Sequence, residues 1–127
     1  MTTCPHTIDA ALRLGQARER MFQLDVRHLP VVRDDRLVGI LSERDIAVAE
    51  AVRAKGGGMG ELLVEDAMTP HPFTCGADAH LHAVAKEMAA RKYGCAIVLD
   101  TAHPTHVIGV FTTTDALCAL AVLAPQE

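Results

Sequence analysis

Two short strings in this 127-residue chain carry side chains that can do chemistry together: Gly39-Ile40-Leu41-Ser42-Glu43-Arg44-Asp45 and Gly109-Val110-Phe111-Thr112-Thr113-Thr114-Asp115. Each sets a hydroxyl three residues ahead of a carboxylate, at the end of an apolar run. A carboxylate accepts from two vicinal hydroxyls at once, in charge-assisted bonds of about 1.5–3 kcal/mol each. A Ser or Thr at a helix start stands beside backbone N–H groups, where an anion is favoured. Arg44 adds positive charge in the first string. Thr113 and Thr114 fill the same stretch of the second, which predicts weaker phosphate binding there. The same residues are also good helix starts, because a capping hydroxyl followed by an acidic group stabilises a helix without any ligand. Taken alone they read first as caps; cap and ligand contact can coexist.

Other residues offer less. Seven histidines raise the question of metal, with His80 and His82 or His103 and His106 as the pairs to weigh. Positions two apart on a helix point away from each other, and His103–His106 falls in a hairpin without Cys or carboxylate at ligand spacing. These histidines read as solvated surface. The four cysteines, Cys4, Cys75, Cys95 and Cys118, form no C-x-x-C pair and read as free thiols in a reducing cytoplasm. Cys75 and Cys95 read as small apolar filler, since a reactive thiol needs an electropositive, partly exposed setting. No nucleophile–base–acid set, Gly-rich cofactor turn or metal cluster stands at recognisable spacing, so the chain reads as a non-enzyme without a cofactor.

Composition narrows the partners. A formal charge of −4 argues against a phosphate backbone as the main partner. No Trp, one Tyr and three Phe leave little surface on which bare bases could stack. The longest apolar run, Ala116–Ala124, is about half of the roughly 20 residues a membrane helix needs. Met1-Thr2-Thr3-Cys4-Pro5 lacks the basic start and apolar core of a signal peptide. Neither nucleic acid nor membrane is expected, and the location read from this is cytoplasmic.

The elements that must position Asp45 and Asp115 occur twice. Met1-Thr2-x-x-Pro5-x-Thr7 returns 67 positions later as Met68-Thr69-x-x-Pro72-x-Thr74, and the same offset pairs Ala10 with Ala77, Leu14 with Leu81 and Met21 with Met88. Each copy then reads as a short extended piece and a helix with an apolar stripe: Leu14, Ala17, Met21 and Leu24, or Leu81, Val84, Ala85 and Met88. A continuously apolar strand follows, Leu29–Val32 or Cys95–Leu99, as suits burial on both faces. A tight hairpin at Asp34-Asp35-Arg36, and a longer one over Asp100–His106, lead to second strands at Leu37–Leu41 and Val107–Phe111. Ser42 and Thr112 then open helices. The expected class is α+β, two tandem β-α-β-β-α repeats. Repeat one spans residues 1–55, a glycine-rich linker 56–60 and repeat two 61–127, with Glu61–Ala67 as a short leading helix.

The strings Leu29-Pro30-Val31-Val32 … Val38-Gly39-Ile40-Leu41-Ser42-Glu43-Arg44-Asp45 and Gly94-Cys95-Ala96-Ile97-Val98 … Ile108-Gly109-Val110-Phe111-Thr112-Thr113-Thr114-Asp115 resemble the repeats of the cystathionine-β-synthase (CBS) domain family. The resemblance covers nearly the whole chain and is closer in copy one; copy two has Ala96 where proline is usual and an enlarged hairpin. It implies a stand-alone pair packed sheet to sheet about a pseudo-two-fold axis, with two clefts that take adenosine compounds such as AMP, ADP, ATP or S-adenosylmethionine. The motif Asp would contact the ribose and its Ser or Thr the phosphate, which gives Ser42 with Asp45, and Thr112 with Asp115. Backbone around Ile8 and around His28, Leu29 and Pro30 would flank the base in one site, with Cys75, Gly94, Cys95 and Ala96 in the other.

The stretch Ala116–Leu123 is apolar all round, which a monomer's surface helix should not be. Either it is buried between the copies or it meets a second chain; similar proteins dimerise through such helices, so a homodimer is expected. The leading expectation is a regulatory module with an adenosine-type ligand and a regulated protein partner. The alternative is a ligand-free protein-interaction module.

Overall fold

The computed structural model describes residues 2–3, 6–55 and 62–124. The linker expected at 56–60, Glu61 at the expected start of the next helix, and Cys4 lie outside the described residues. Thirteen elements follow one another among the described residues, β1 (Thr2–Thr3) to α5 (Thr113–Leu123). They gather into two compact units, one of His6–Pro72 and one joining Met1–Pro5 to Phe73–Glu127.

The His6–Pro72 unit holds β2 (Ile8–Asp9), α1 (Leu14–Leu24), β3 (His28–Arg33), β4 (Arg36–Ser42), α2 (Glu43–Lys55), α3 (Val64–Ala67) and β5 (Thr69–Pro70). Its sheet runs β2-β3-β4-β5, with β2 parallel to β3 and the other pairs antiparallel. The apolar stripe read from the sequence is what α1 buries: Leu14, Ala17 and Met21 face the core. They meet Ile8, Leu29, Val31 and Leu41 from the sheet and Ile46 from α2. Leu29, Pro30 and Val31 are buried in succession, as expected of an inner strand. Pro30, which has no N–H, sits beyond the end of β2, whose pairing reaches only Val31 and Val32. The hairpin between β3 and β4 has two central residues, Asp34 and Asp35, with φ of 51° and 61°. Two left-handed residues give the twist that a two-residue hairpin needs. Ion pairs Arg18–Glu50 and Arg33–Glu65 tie α1 to α2 and β3 to α3.

The second unit holds β1, β6 (Thr74–Gly76), α4 (Leu81–Arg91), β7 (Cys95–Leu99), β8 (Val107–Thr112) and α5, with sheet order β1-β8-β7-β6. Four successive residues of β7, Cys95–Val98, are buried. On α4, Val84 and Met88 face the core. Leu81, expected in the same stripe, is 41% exposed. The helix before β5 is shorter than expected and starts at Val64, because Leu63 is extended (φ −96°, ψ 161°) and its N–H bonds to Asp66 Oδ2 at 2.8 Å.

The repeat persists in the geometry. α1 and α4 both end on a left-handed residue other than glycine, Asp25 (φ 53°) and Lys92 (φ 60°), 67 positions apart. The short strands β1 and β5 also behave alike, and each closes a sheet. β5, near the start of the second repeat, pairs with β4 of the first; β1, at the start of the first, pairs with β8 of the second. Each covers a hairpin edge that would otherwise present open N–H and C=O groups.

Candidate functional site

Asp45 sits in the first turn of α2, held there by a reciprocal cap. The Asp45 N–H donates to Ser42 Oγ at 3.0 Å, and the Ser42 N–H donates to Asp45 Oδ2 at 2.9 Å. This is the two-way arrangement of a capping box, and each bond satisfies a backbone donor with no partner inside the helix. The Glu43 N–H is taken by the Arg27 carbonyl at 3.0 Å. The helix start is therefore largely self-satisfied. Ser42 keeps its own hydroxyl proton to donate, so any anion there would meet a hydroxyl more than an open row of N–H groups.

The hairpin register carries His28 to the same place, since His28 lies opposite Ser42 across β3 and β4. Burial pushes the His28 imidazole below its ordinary pKa; the Asp45 carboxylate opposes that shift, and the Arg27 cation adds to it. Ile8 and Leu29 lie in the same sheet and are 1% and 2% exposed as whole residues. With Pro30 also buried, these three present almost no surface of the single chain, backbone included, to a ligand. Arg44 is exposed on α2 and lines, with Asp45, Arg53 and Asp66, a cavity of about 490 Å³ whose apolar wall includes Val48, Val52, Leu62 and Ala67. That size and mostly apolar wall suit a small ligand.

Sequence reasoning missed one neighbour of Asp45. The Thr69 hydroxyl lies 3.3 Å from Asp45 Oδ1 and 3.4 Å from Oδ2. The signal was present, because Met68-Thr69 repeats Met1-Thr2, but it read as a marker of the repeat.

Asp115 in the second unit is built the same way. Its N–H donates to Thr112 Oγ1 at 3.2 Å, and Oδ2 accepts from the Thr112 N–H at 2.8 Å. Cys95 lies opposite Thr112, and the Gly94 carbonyl takes the Thr113 N–H at 3.1 Å. Gly94, Cys95, Thr112 and Asp115 thus come together. Cys75 is on β6, with β7 between it and Thr112; Ala96 is fully buried. Burial raises the Cys75 thiol and pushes Cys95 up to about 12, so neither is a thiolate near neutrality. Phe73 stacks on Tyr93, next to Gly94, with ring centroids 5.1 Å apart.

Two α+β units of one repeated topology, each with a hydroxyl–carboxylate pair at the start of the helix that follows its hairpin, define a tandem-repeat protein. A family model for the CBS domain matches residues 1–51 and 64–122, and the chain belongs to that family. The homoserine O-acetyltransferase of Methanosphaera stadtmanae is 31% identical over 108 residues, which cover 84% of this chain and 20% of the relative. The inosine-5′-monophosphate dehydrogenase of Korarchaeum cryptofilum is 33% identical over 109 residues, 86% of this chain and 21% of the relative. The chain therefore spans about a fifth of the length of the curated relatives it matches. Among solved structures, the CBS domain pair of protein MJ0100 in complex with 5′-methylthioadenosine and S-adenosyl-L-methionine superposes with a TM-score of 0.81. It is 25% identical, and the match covers 94% of this chain and 93% of that one.

Proposed function

We propose that this chain is a non-catalytic regulatory module that binds an adenosine compound, with Asp45 as the contact to the ribose hydroxyls. The observation that carries this reading is the repeated construction: in both units a half-buried carboxylate and a hydroxyl share a helix start, beside the backbone of the preceding strand. The adenosine compounds bound to MJ0100, a relative of the same fold, support the ligand class. The cavity beside Asp45 supports the first unit as the stronger site, since Arg44 has no cationic counterpart at Thr113 or Thr114. Asp115, Thr112 and the backbone of Gly94 and Cys95 form the second site in this reading.

A homodimer belongs to the same reading. No residue of α5 is buried, and Leu117, Leu120, Val122 and Leu123 are 61–83% exposed. With α4 the helix borders an apolar groove of about 850 Å³. Such a surface favours a partner. A second reading, an interaction module without ligand, is favoured by the cap bonds that already engage both carboxylates.

Calorimetric titration with AMP, ADP, ATP, S-adenosylmethionine and 5′-methylthioadenosine separates the two readings. Saturable heat from at least one of them is expected. No heat from any at millimolar concentration leaves the interaction module.

A further inference from the structure

Resting on the ligand reading above, we infer that Thr69 is a positioning residue of the Asp45 site, one that fits the carboxylate to a vicinal diol. A carboxylate offers about four acceptor positions. At Asp45 one is taken by the Ser42 N–H on Oδ2. The Thr69 hydroxyl has a single proton and takes a second position by donating to one oxygen, the nearer being Oδ1 at 3.3 Å, with Oδ2 at 3.4 Å. Two positions are left, the number of protons a cis-diol brings. Without Thr69 the carboxylate is anchored at one oxygen only and is free to turn about its last bond.

The Thr69 backbone is fixed independently of any ligand. Thr69 pairs with Ile40 and Pro70 with Gly39 across β4 and β5, and the Met68 N–H bonds the Val64 carbonyl at 2.9 Å. Met68 packs directly over Gly39. The hydroxyl is thus held against Asp45 by a strand paired to β4, and Thr69 itself is exposed. The backbone register recurs: Thr2 stands 67 positions earlier, on a strand that pairs opposite Val110 as Thr69 pairs opposite Ile40.

The test compares Thr69→Val and Thr69→Ser with the unchanged protein, titrated with AMP, 2′-deoxy-AMP and 5′-methylthioadenosine, alongside thermal unfolding. Thr69→Val is expected to weaken whichever of the two diol ligands binds by about 5- to 10-fold, the scale of one ordinary hydrogen bond. Thr69→Ser should restore that affinity to within about two-fold, and the melting temperature should stay the same in both variants. Binding of 2′-deoxy-AMP, already weaker in the unchanged protein, should not fall further in Thr69→Val. Full affinity in Thr69→Val, equal losses in the Val and Ser variants, or an equal loss for the deoxy and diol ligands overturns the role of Thr69. If no ligand binds the unchanged protein, the ligand reading itself fails and takes this role with it.

Discussion

At the scale of single residues, Asp45 has two duties that mutation can separate. As a cap it closes the start of α2, and loss of such a cap costs about 1 kcal/mol. As the proposed ribose contact it carries a larger share of affinity. Asp45→Ala is expected to weaken the first site about 10- to 100-fold, equivalent to 1.4–2.8 kcal/mol, as read by calorimetry. Ser42→Ala removes one cap bond and leaves the carboxylate in place, so it should cost stability of the same order with a smaller loss of affinity.

His28 belongs to this scale too. Its folded pKa lies below the unfolded value, so the folded state binds fewer protons between the two. Stability from this group is complete above about 6.5, the unfolded value, and is lost as pH falls through the lower folded value. In urea unfolding, the drop in stability between pH 7.5 and pH 5.5 should therefore be smaller in His28→Gln than in the unchanged protein. An identical drop would show that His28 is not held neutral by the fold.

At the scale of elements, the contact of β4 with β5 is sensitive to substitution. A methyl group added at Gly39 would stand 2.6 Å from Met68 Sδ and 2.9 Å from the Thr69 carbonyl oxygen. The sulfur can move, but the carbonyl belongs to the paired backbone. Gly39→Ala should then cost about 1–3 kcal/mol by overpacking and weaken ligand binding through Thr69. Unchanged stability and affinity would mean that β5 is not fixed to β4 as described.

Most of the elements were legible in the sequence because local periodicity and burial agree. The stripe Leu14, Ala17 and Met21 is the buried face of α1, and the apolar run Cys95–Leu99 is an inner strand. The end of each string was legible as a cap for the same reason, since Ser42 and Asp45 are close in sequence. Thr69 was not legible as a neighbour of Asp45. The two are 24 residues apart, joined by strand pairing that no local pattern encodes. Nor did the stripe on α4 reveal the exposure of Leu81, which depends on what the first turn of the helix packs against.

At the scale of the molecule, the chain interleaves its repeats with its compact units. β1 completes one sheet and β5 the other, so removal of residues 1–5 would strip β1 from β8 in a unit otherwise made of residues 73–127. The exposed leucines of α5 belong to that unit. If they form the proposed homodimer contact, light scattering should give twice the chain mass for the unchanged protein and a single chain mass for Leu120→Asp. The unfolding midpoint measured at low protein concentration should hardly change, because Leu120 is 61% exposed in the single chain. A monomeric unchanged protein would remove the dimer from the account.

The central claim, that the carboxylate opening α2 holds the ribose of an adenosine ligand, is tested most directly by a crystal structure of the protein grown with 5′-methylthioadenosine or AMP. The account predicts density for both ribose hydroxyls at hydrogen-bonding distance from Asp45, about 2.5–3.0 Å, with Thr69 still donating to the same carboxylate. A bound nucleoside lodged elsewhere, with Asp45 bonded only to Ser42 and Thr69, would contradict it.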